Sequence, residues 1–157
     1  MKIIQSALVV PGNVKVALVV SLFNRPITEA LQQGAIEQLM QRGIHSDDIT
    51  VVEVPGAVEI PLVLQRLGQK KIYAAMIALG AVVRGETTHY ETVCEMVSEG
   101  CLRVSLTYDI PVVFGVLTTE NEAQAWARLG GAEGHKGREA ADCALAMHTV
   151  LTQIQEM

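Results

Sequence analysis

The stretch that most restricts the fold is residues 74–83, an apolar run interrupted only by Gly80 and followed at once by Arg84-Gly85-Glu86-Thr87. An apolar run of this length fits a strand covered on both faces, as in a parallel sheet, rather than a half-exposed strand that alternates. Thr88 followed by Glu91 is a capping-box pattern and predicts a helix start there. A buried strand, a tight glycine turn and a helix N-terminus aim backbone N–H groups and the positive end of the helix dipole at one point. An anion, above all a phosphate, is held well at such a point. His89 falls in the first turn of the same helix. The stretch reads either as an ordinary strand–helix unit carrying a histidine or as a site for chemistry on a phosphorylated small molecule.

The rest of the chain repeats the alternation. Residues 15–22 read as a central strand, and Phe23-Asn24-Arg25-Pro26 turns into a helix. Its Ile27, Leu31, Ala35 and Leu39 recur every fourth residue, with Ile36 and Met40 beside them, and Gly43 stops it. Residues 44–48 form a polar linker, and residues 49–54 a strand ended by Pro55-Gly56. Residues 58–67 read as a helix with Pro61 in its first turn. The helix opened near Thr88 extends to about Leu106, and residues 112–117 are the last strand expected. Thr119 and Glu122 repeat the capping box and open a helix through Trp126 to Leu129. Residues 130–137 read as a glycine-rich loop and 138–155 as the closing helix. Residues 3–10 read as a further short strand, set off by Pro11-Gly12-Asn13. With right-handed crossovers, this alternation predicts a three-layer α/β/α sandwich around a mostly parallel four-stranded sheet. A length of 157 residues fits one domain over residues 1–157.

Composition narrows the function. Half the residues are hydrophobic but only 4% are aromatic, so the core must be aliphatic, which suits parallel strands under helices. A net charge of −5 leaves no basic excess for a nucleic-acid surface. Cys94, Cys101 and Cys143 are odd in number and form no C-x-x-C, which argues against a disulfide framework or a zinc site and favours a reducing cytoplasm. His45, His135 and His148 show no metal-ligand spacing. Gln5 and Ser6 interrupt the N-terminal apolar run, so a signal peptide is not expected. No apolar run approaches the ~18 residues of a membrane span. The expectation is a complete cytoplasmic chain. Dinucleotide, P-loop and G-x-S-x-G patterns are absent from the sequence.

In open parallel sheets ligands bind outside the carboxyl ends of the strands. That rule selects Phe23-Asn24, then Gly56-Ala57-Val58-Glu59, then residues 82–89. Phe23 either stacks a flat heterocycle or plugs the sheet edge. Glu59 either complements a helix dipole or binds a polyol through its carboxylate. Gly85 and Thr87 offer N–H groups and a hydroxyl to an anion, while Glu86 between them costs energy unless it points outward. His89 is either a surface histidine or a proton-transfer group near neutral pH. Arg128 and Lys136 are either surface charges or cations for a phosphate.

Together these residues resemble the lumazine synthase family of riboflavin biosynthesis. The resemblance lies in Phe23-Asn24, the VPGAVEIP of residues 54–61, the LGAVVRGETTHYETV of residues 79–93, and the PVVFGVLTTEN of residues 111–121. Arg128, His135-Lys136-Gly137 and Glu139-Ala140-Ala141 complete it in the family's order. It implies a flavodoxin-like fold and condensation of 5-amino-6-(D-ribitylamino)uracil with 3,4-dihydroxy-2-butanone 4-phosphate, releasing phosphate and water. By resemblance, Phe23 beside Asn24 stacks on the pyrimidine. Ala57, Val58 and Glu59 hold the ribityl chain, and Ala81, Val82 and Val83 hold the ring edge. Gly85, Glu86 and Thr87 cradle the phosphate, with Arg128 as its clamp. His89 transfers protons, and Lys136 orients substrate. Phe114, Arg128 and Lys136 reach the site from a neighbouring subunit, so a pentamer or a pentamer-based assembly of up to 60 subunits is implied. The strand at residues 3–10 is then a candidate for pairing with a neighbour's sheet. No cofactor or metal is implied, and riboflavin synthase is a candidate partner.

Three positions depart from the family's pattern: Leu22 where many members carry arginine, Val58 where an aromatic is common, and Glu86 where small residues prevail. The first two bear on the substrate pocket and the third on phosphate affinity. The competing readings are a flavin- or lumazine-binding protein without activity, a related riboflavin synthase of the same fold, and a structural shell.

Overall fold

In the computed structural model, which describes residues 1–10 and 12–157, the apolar runs form β1 (Lys15–Ser21), β2 (Ile49–Val54), β3 (Tyr73–Val83) and β4 (Val112–Thr119). They join in the order β2-β1-β3-β4, every neighbour parallel. The helices are α1 (Arg25–Gln41), α2 (Ile60–Gln69), α3 (His89–Tyr108), α4 (Glu122–Ala127) and α5 (Lys136–Gln155). A small antiparallel hairpin, β5 (Leu129–Gly131) with β6 (Gly134–His135), lies between the last two helices. Helices cover both faces, and the expected three-layer sandwich is what forms.

Period-two alternation along the central strands divides the core. Val16, Leu18 and Val20 of β1, with Ile77 and Leu79 of β3, pack against Leu31 and Leu39 of α1 and Ala144 and Leu145 of α5. Ala17 and Val19, with Met76 and Ala78, face Leu64 of α2 and Val97 and Cys101 of α3. Each fully buried leucine contributes about 1.5–3 kcal/mol relative to exposure. Both faces of β1 and β3 must be apolar for this to work, which is why their sequences do not alternate with polar residues. On the first side the alanines of α5 and its one glycine, Gly137, let it lie close to α1. A Cβ at Gly137 would stand 2.3 Å from the Leu31 carbonyl oxygen, so only glycine fits there.

Several local expectations give way to contacts made over longer distances. The segment 3–10 forms no strand. It lies along α5, where the Ala7 N–H donates to Thr149 Oγ1 (2.9 Å) and Gln153 Nε2 donates to the Gln5 carbonyl (2.7 Å). Ile3 and Val9 stay exposed, and among the described residues the segment makes no sheet pairing. Pro11 of the expected break lies outside the described residues. Thr88 makes no side-chain cap; the His89 N–H instead donates to Thr87 Oγ1 at 3.3 Å. Glu91 turns to Arg84, since a guanidinium binds a carboxylate more strongly than a backbone amide does. The fourth helix is capped by Asn121, whose Oδ1 accepts from the Gln124 N–H (2.9 Å), because β4 runs on to Thr119 and buries it. Residues 57–59 form a single 3-10 turn, and the helix proper begins at Ile60, with Pro61 in its first turn. The supposed loop at 130–137 is the β5–β6 hairpin, running straight into α5. Among the described residues, no helix is long and apolar enough to cross a membrane.

Candidate active site

A cleft of about 350 Å³ opens where β1, β2 and β3 end. Hydrogen bonding carries the β1–β2 ladder past its last strand residues: the Leu22 N–H donates to the Val54 carbonyl (2.8 Å) and the Phe23 N–H to that of Pro55 (3.1 Å). Phe23 is thereby presented at the cleft with 72% of its surface exposed, rather than folded over the sheet edge. Asn24 takes a left-handed backbone (φ 61°, ψ 47°), and its Nδ2 donates to the Ala81 carbonyl at 3.0 Å. That bond ties the loop after β1 to the end of β3. From β2 come Gly56, Ala57, Val58 and Glu59, with the Glu59 carboxylate 3.2 Å from where a Gly56 Cβ would stand. Ala81, Val82 and Val83 line the cleft from β3, and Gly85 and Thr87 follow in the turn. His89 closes the wall at the start of α3.

Tyr90 and Val93 also line the cleft, and neither was singled out as a site residue from the sequence. The signal was present: Val93 lies four residues after His89 and three after Tyr90, spacings that make it a neighbour of both on the helix surface. Burial pushes the Tyr90 phenol above its ordinary pKa, so it remains a neutral hydroxyl. Behind it stands Arg84. Its Nε donates to Glu120 Oε2 (2.6 Å), its Nη1 to Glu91, and its guanidinium lies 4.3 Å from the Tyr90 ring centroid. The hydrogen bond from Arg84 holds the Glu91 carboxyl below the usual carboxylate range.

The remaining expected residues lie elsewhere. Phe114, Arg128 and Lys136, with Thr118 and Glu133, line a second concavity of about 380 Å³ on the edge strand β4 and the hairpin. The Lys136 N–H donates to the Arg128 carbonyl and Arg128 Nη1 donates to the Gln124 carbonyl, both at 2.8 Å. Glu86 is exposed and lines neither hollow. His135, beside Lys136, is a structural histidine. Its ring fills the space over Gly34, where a Cβ would lie 2.1 Å from its Cε1, and its Nδ1 accepts from the Arg138 N–H at 3.4 Å. Burial, reinforced by the nearby Arg138 charge, lowers its pKa and keeps that nitrogen an acceptor.

A walled cleft at the carboxyl ends of parallel strands defines an open-sheet α/β protein with a small-molecule site. The family model described as 6,7-dimethyl-8-ribityllumazine synthase matches residues 13–152. Two relatives of that name from strains of Coxiella burnetii are 50% identical over 144 residues, covering 92% of this chain and 95% of theirs. A third, from another strain of the same organism, is 49% identical over 144 residues with the same coverage. The chain belongs to the 6,7-dimethyl-8-ribityllumazine synthase family.

Proposed function

We propose that this chain is an enzyme, a transferase, that condenses 5-amino-6-(D-ribitylamino)uracil with 3,4-dihydroxy-2-butanone 4-phosphate. The product is 6,7-dimethyl-8-ribityllumazine, with release of phosphate and water, the penultimate step of riboflavin biosynthesis. The observation that carries this reading is the single cleft joining an exposed aromatic ring, a floor of small residues, a glycine turn and a helix-start histidine.

In this reading Phe23, steadied by Asn24, stacks on the pyrimidine. Ala57, Val58 and Glu59 hold the ribityl chain, Glu59 through its exposed carboxylate. Ala81, Val82 and Val83 meet the ring edge. Gly85 and Thr87 receive the phosphate near the N-terminus of α3, and Glu86 takes part through its backbone while its exposed carboxylate stays out of the cleft. The substrate amine attacks the ketone carbon and water leaves as the imine forms. The carbon–oxygen bond to phosphate then breaks, and the resulting enol becomes a ketone. The ribityl-bearing nitrogen closes the ring on that carbonyl with loss of a second water. Each step moves a proton, and His89 stands beside the turn that would hold the phosphorylated substrate. The nucleophile belongs to the substrate, so the enzyme's main task is to hold two reactants together in a productive geometry.

Phe114, Arg128 and Lys136 lie on the sheet's free edge, and in this reading they complete the cleft of an adjacent copy. Arg128 then clamps the phosphate and Lys136 orients substrate. The assembly is a pentamer or is built of pentamers, each chain acts as one catalytic domain in the cytoplasm, and riboflavin synthase receives the product.

The test supplies both substrates together and separately to the purified protein, following lumazine absorbance and free phosphate. Turnover that requires both, with one phosphate per lumazine, is the expected result. Tight lumazine binding with no rate above the spontaneous background would instead make the chain a binding protein.

A further inference from the structure

We propose that Arg84 is a positioning residue for the anion turn. It fastens the turn and the start of α3 to the end of β4, and it neutralises the two carboxylates beside them. The role assigned to the turn rests on the phosphorylated substrate proposed above.

Little else holds this segment in place. Nothing lies within 4 Å of where a Gly85 Cβ would stand, so the turn is not packed there. Among the described residues, the bond across it from the His89 N–H to Thr87 Oγ1 is long at 3.3 Å. Arg84, by contrast, binds two separate pieces of chain, the end of β4 and the first turn of α3. Its own N–H donates to the Thr119 carbonyl (2.9 Å), extending the β3–β4 ladder by one residue. Its side chain then reaches Glu120 just past β4 and Glu91 in the first turn of α3. The guanidinium also covers the ring of Tyr90, which lines the cleft beside His89. A planar fork that meets two carboxylates and an aromatic face is a task for arginine and not for lysine.

Charge gives the second half of the argument. Glu86, Glu91 and Glu120 all stand near a turn proposed to receive a phosphate. With Arg84 in place, two of the three are paired. Without it, like charges face the incoming anion. Arg84 does not line the cleft, and its Nε and Nη1 donate to Glu120 and Glu91, so it acts through these neighbours and not as a phosphate ligand.

The test titrates inorganic phosphate into wild-type, Arg84→Gln and Arg84→Lys proteins by calorimetry, then measures both KM values and the melting temperature. Arg84→Gln is expected to weaken phosphate about tenfold, the scale of one exposed charge and its geometry. The KM for the butanone phosphate should rise in step, while the KM for the ribitylaminouracil stays within about twofold. Arg84→Lys should recover only part of the loss, because an ammonium cannot span both carboxylates. No phosphate binding by the wild type, equal affinity in Arg84→Gln, or full recovery in Arg84→Lys overturns the proposal. So does a parallel rise of both KM values with a lowered melting temperature, which is general loosening. The two readings fail separately. A wild type that shows the phosphate difference but no turnover removes the reaction and keeps Arg84's role. A wild type that turns over, with unchanged affinity in Arg84→Gln, does the reverse.

Discussion

The cleft and the concavity on β4 are built in different ways. The cleft draws on three consecutive strand ends, which the sheet holds about 4.8 Å apart, and its loops are tied by backbone bonds and the Asn24–Ala81 link. The edge concavity rests on an outer strand, a six-residue helix and a hairpin of three and two residues. The first region holds the aromatic, the anion turn and the imidazole; the second holds Arg128 and Lys136. In one chain the two occupy separate hollows, and the proposed reaction needs both. The difference teaches that one region is fixed by the sheet's own ladder and the other by short elements at its edge.

The comparison can be broken in order of effect. His89→Ala should lower kcat about 10²–10³-fold with the fold intact, measured by steady-state kinetics and circular dichroism. Unchanged turnover would remove the imidazole from the chemistry. Next, the same substitution separates the packed α1–α5 contact from the open turn of the cleft. Gly137→Ala drives a Cβ against the Leu31 carbonyl and should cost about 3 kcal/mol in urea unfolding. Gly85→Ala enters open space and should stay within about 0.5 kcal/mol of wild type. Arg128→Ala should raise the KM for the phosphorylated substrate roughly 10–100-fold. Co-expression of Arg128→Ala with His89→Ala sharpens the point: mixed assemblies contain clefts that pair an intact His89 with an intact Arg128 from another chain. Activity well above that of either variant is expected, and no recovery would confine the site to one subunit.

The smallest effect is that of pH on the α1–α5 contact. Arg42, hydrogen-bonded to Asp142 at 2.9 Å, holds that carboxyl below its ordinary value of 3.8. The folded chain thus takes up the proton less readily than the unfolded one. The resulting stability is present above the ordinary value and is lost as pH falls through the lower folded value. The pair is partly solvated, so the loss should be under about 1 kcal/mol. Asp142→Asn should flatten that part of an acid-unfolding profile.

What could be read from the sequence followed from how local its cause was. β2 was legible residue for residue and β3 nearly so, because apolar runs bounded by Pro, Gly and Lys carry their own limits. The first capping box marked the start of α3 correctly, with Thr88 at the N-cap, but its side-chain cap does not form because Glu91 goes to Arg84. The second placed its helix two residues early because β4 extends through Thr119. The hairpin was missed because strands of two or three residues carry no period, and their glycines signal a loop. The N-terminal segment is apolar enough for a strand, but its hydrogen bonds go to side chains of α5. Strand-end residues that line the cleft were legible by position, from Phe23 to His89. That Phe114, Arg128 and Lys136 gather elsewhere depends on which strand is at the sheet's edge, and this is a property of topology.

The hydrogen bonds that continue from β1 and β2 into Leu22 and Phe23 bear on the timing of recognition. They form when the chain folds, before any ligand arrives, so the conformational entropy of this loop's backbone is lost at that stage. Binding then needs to settle little more than the ring's own torsions, and the affinity is not reduced by the ordering of a mobile loop. Arrival at Phe23 should accordingly be governed by diffusion and orientation, and differences in affinity among flat ligands should appear mainly in how slowly they leave.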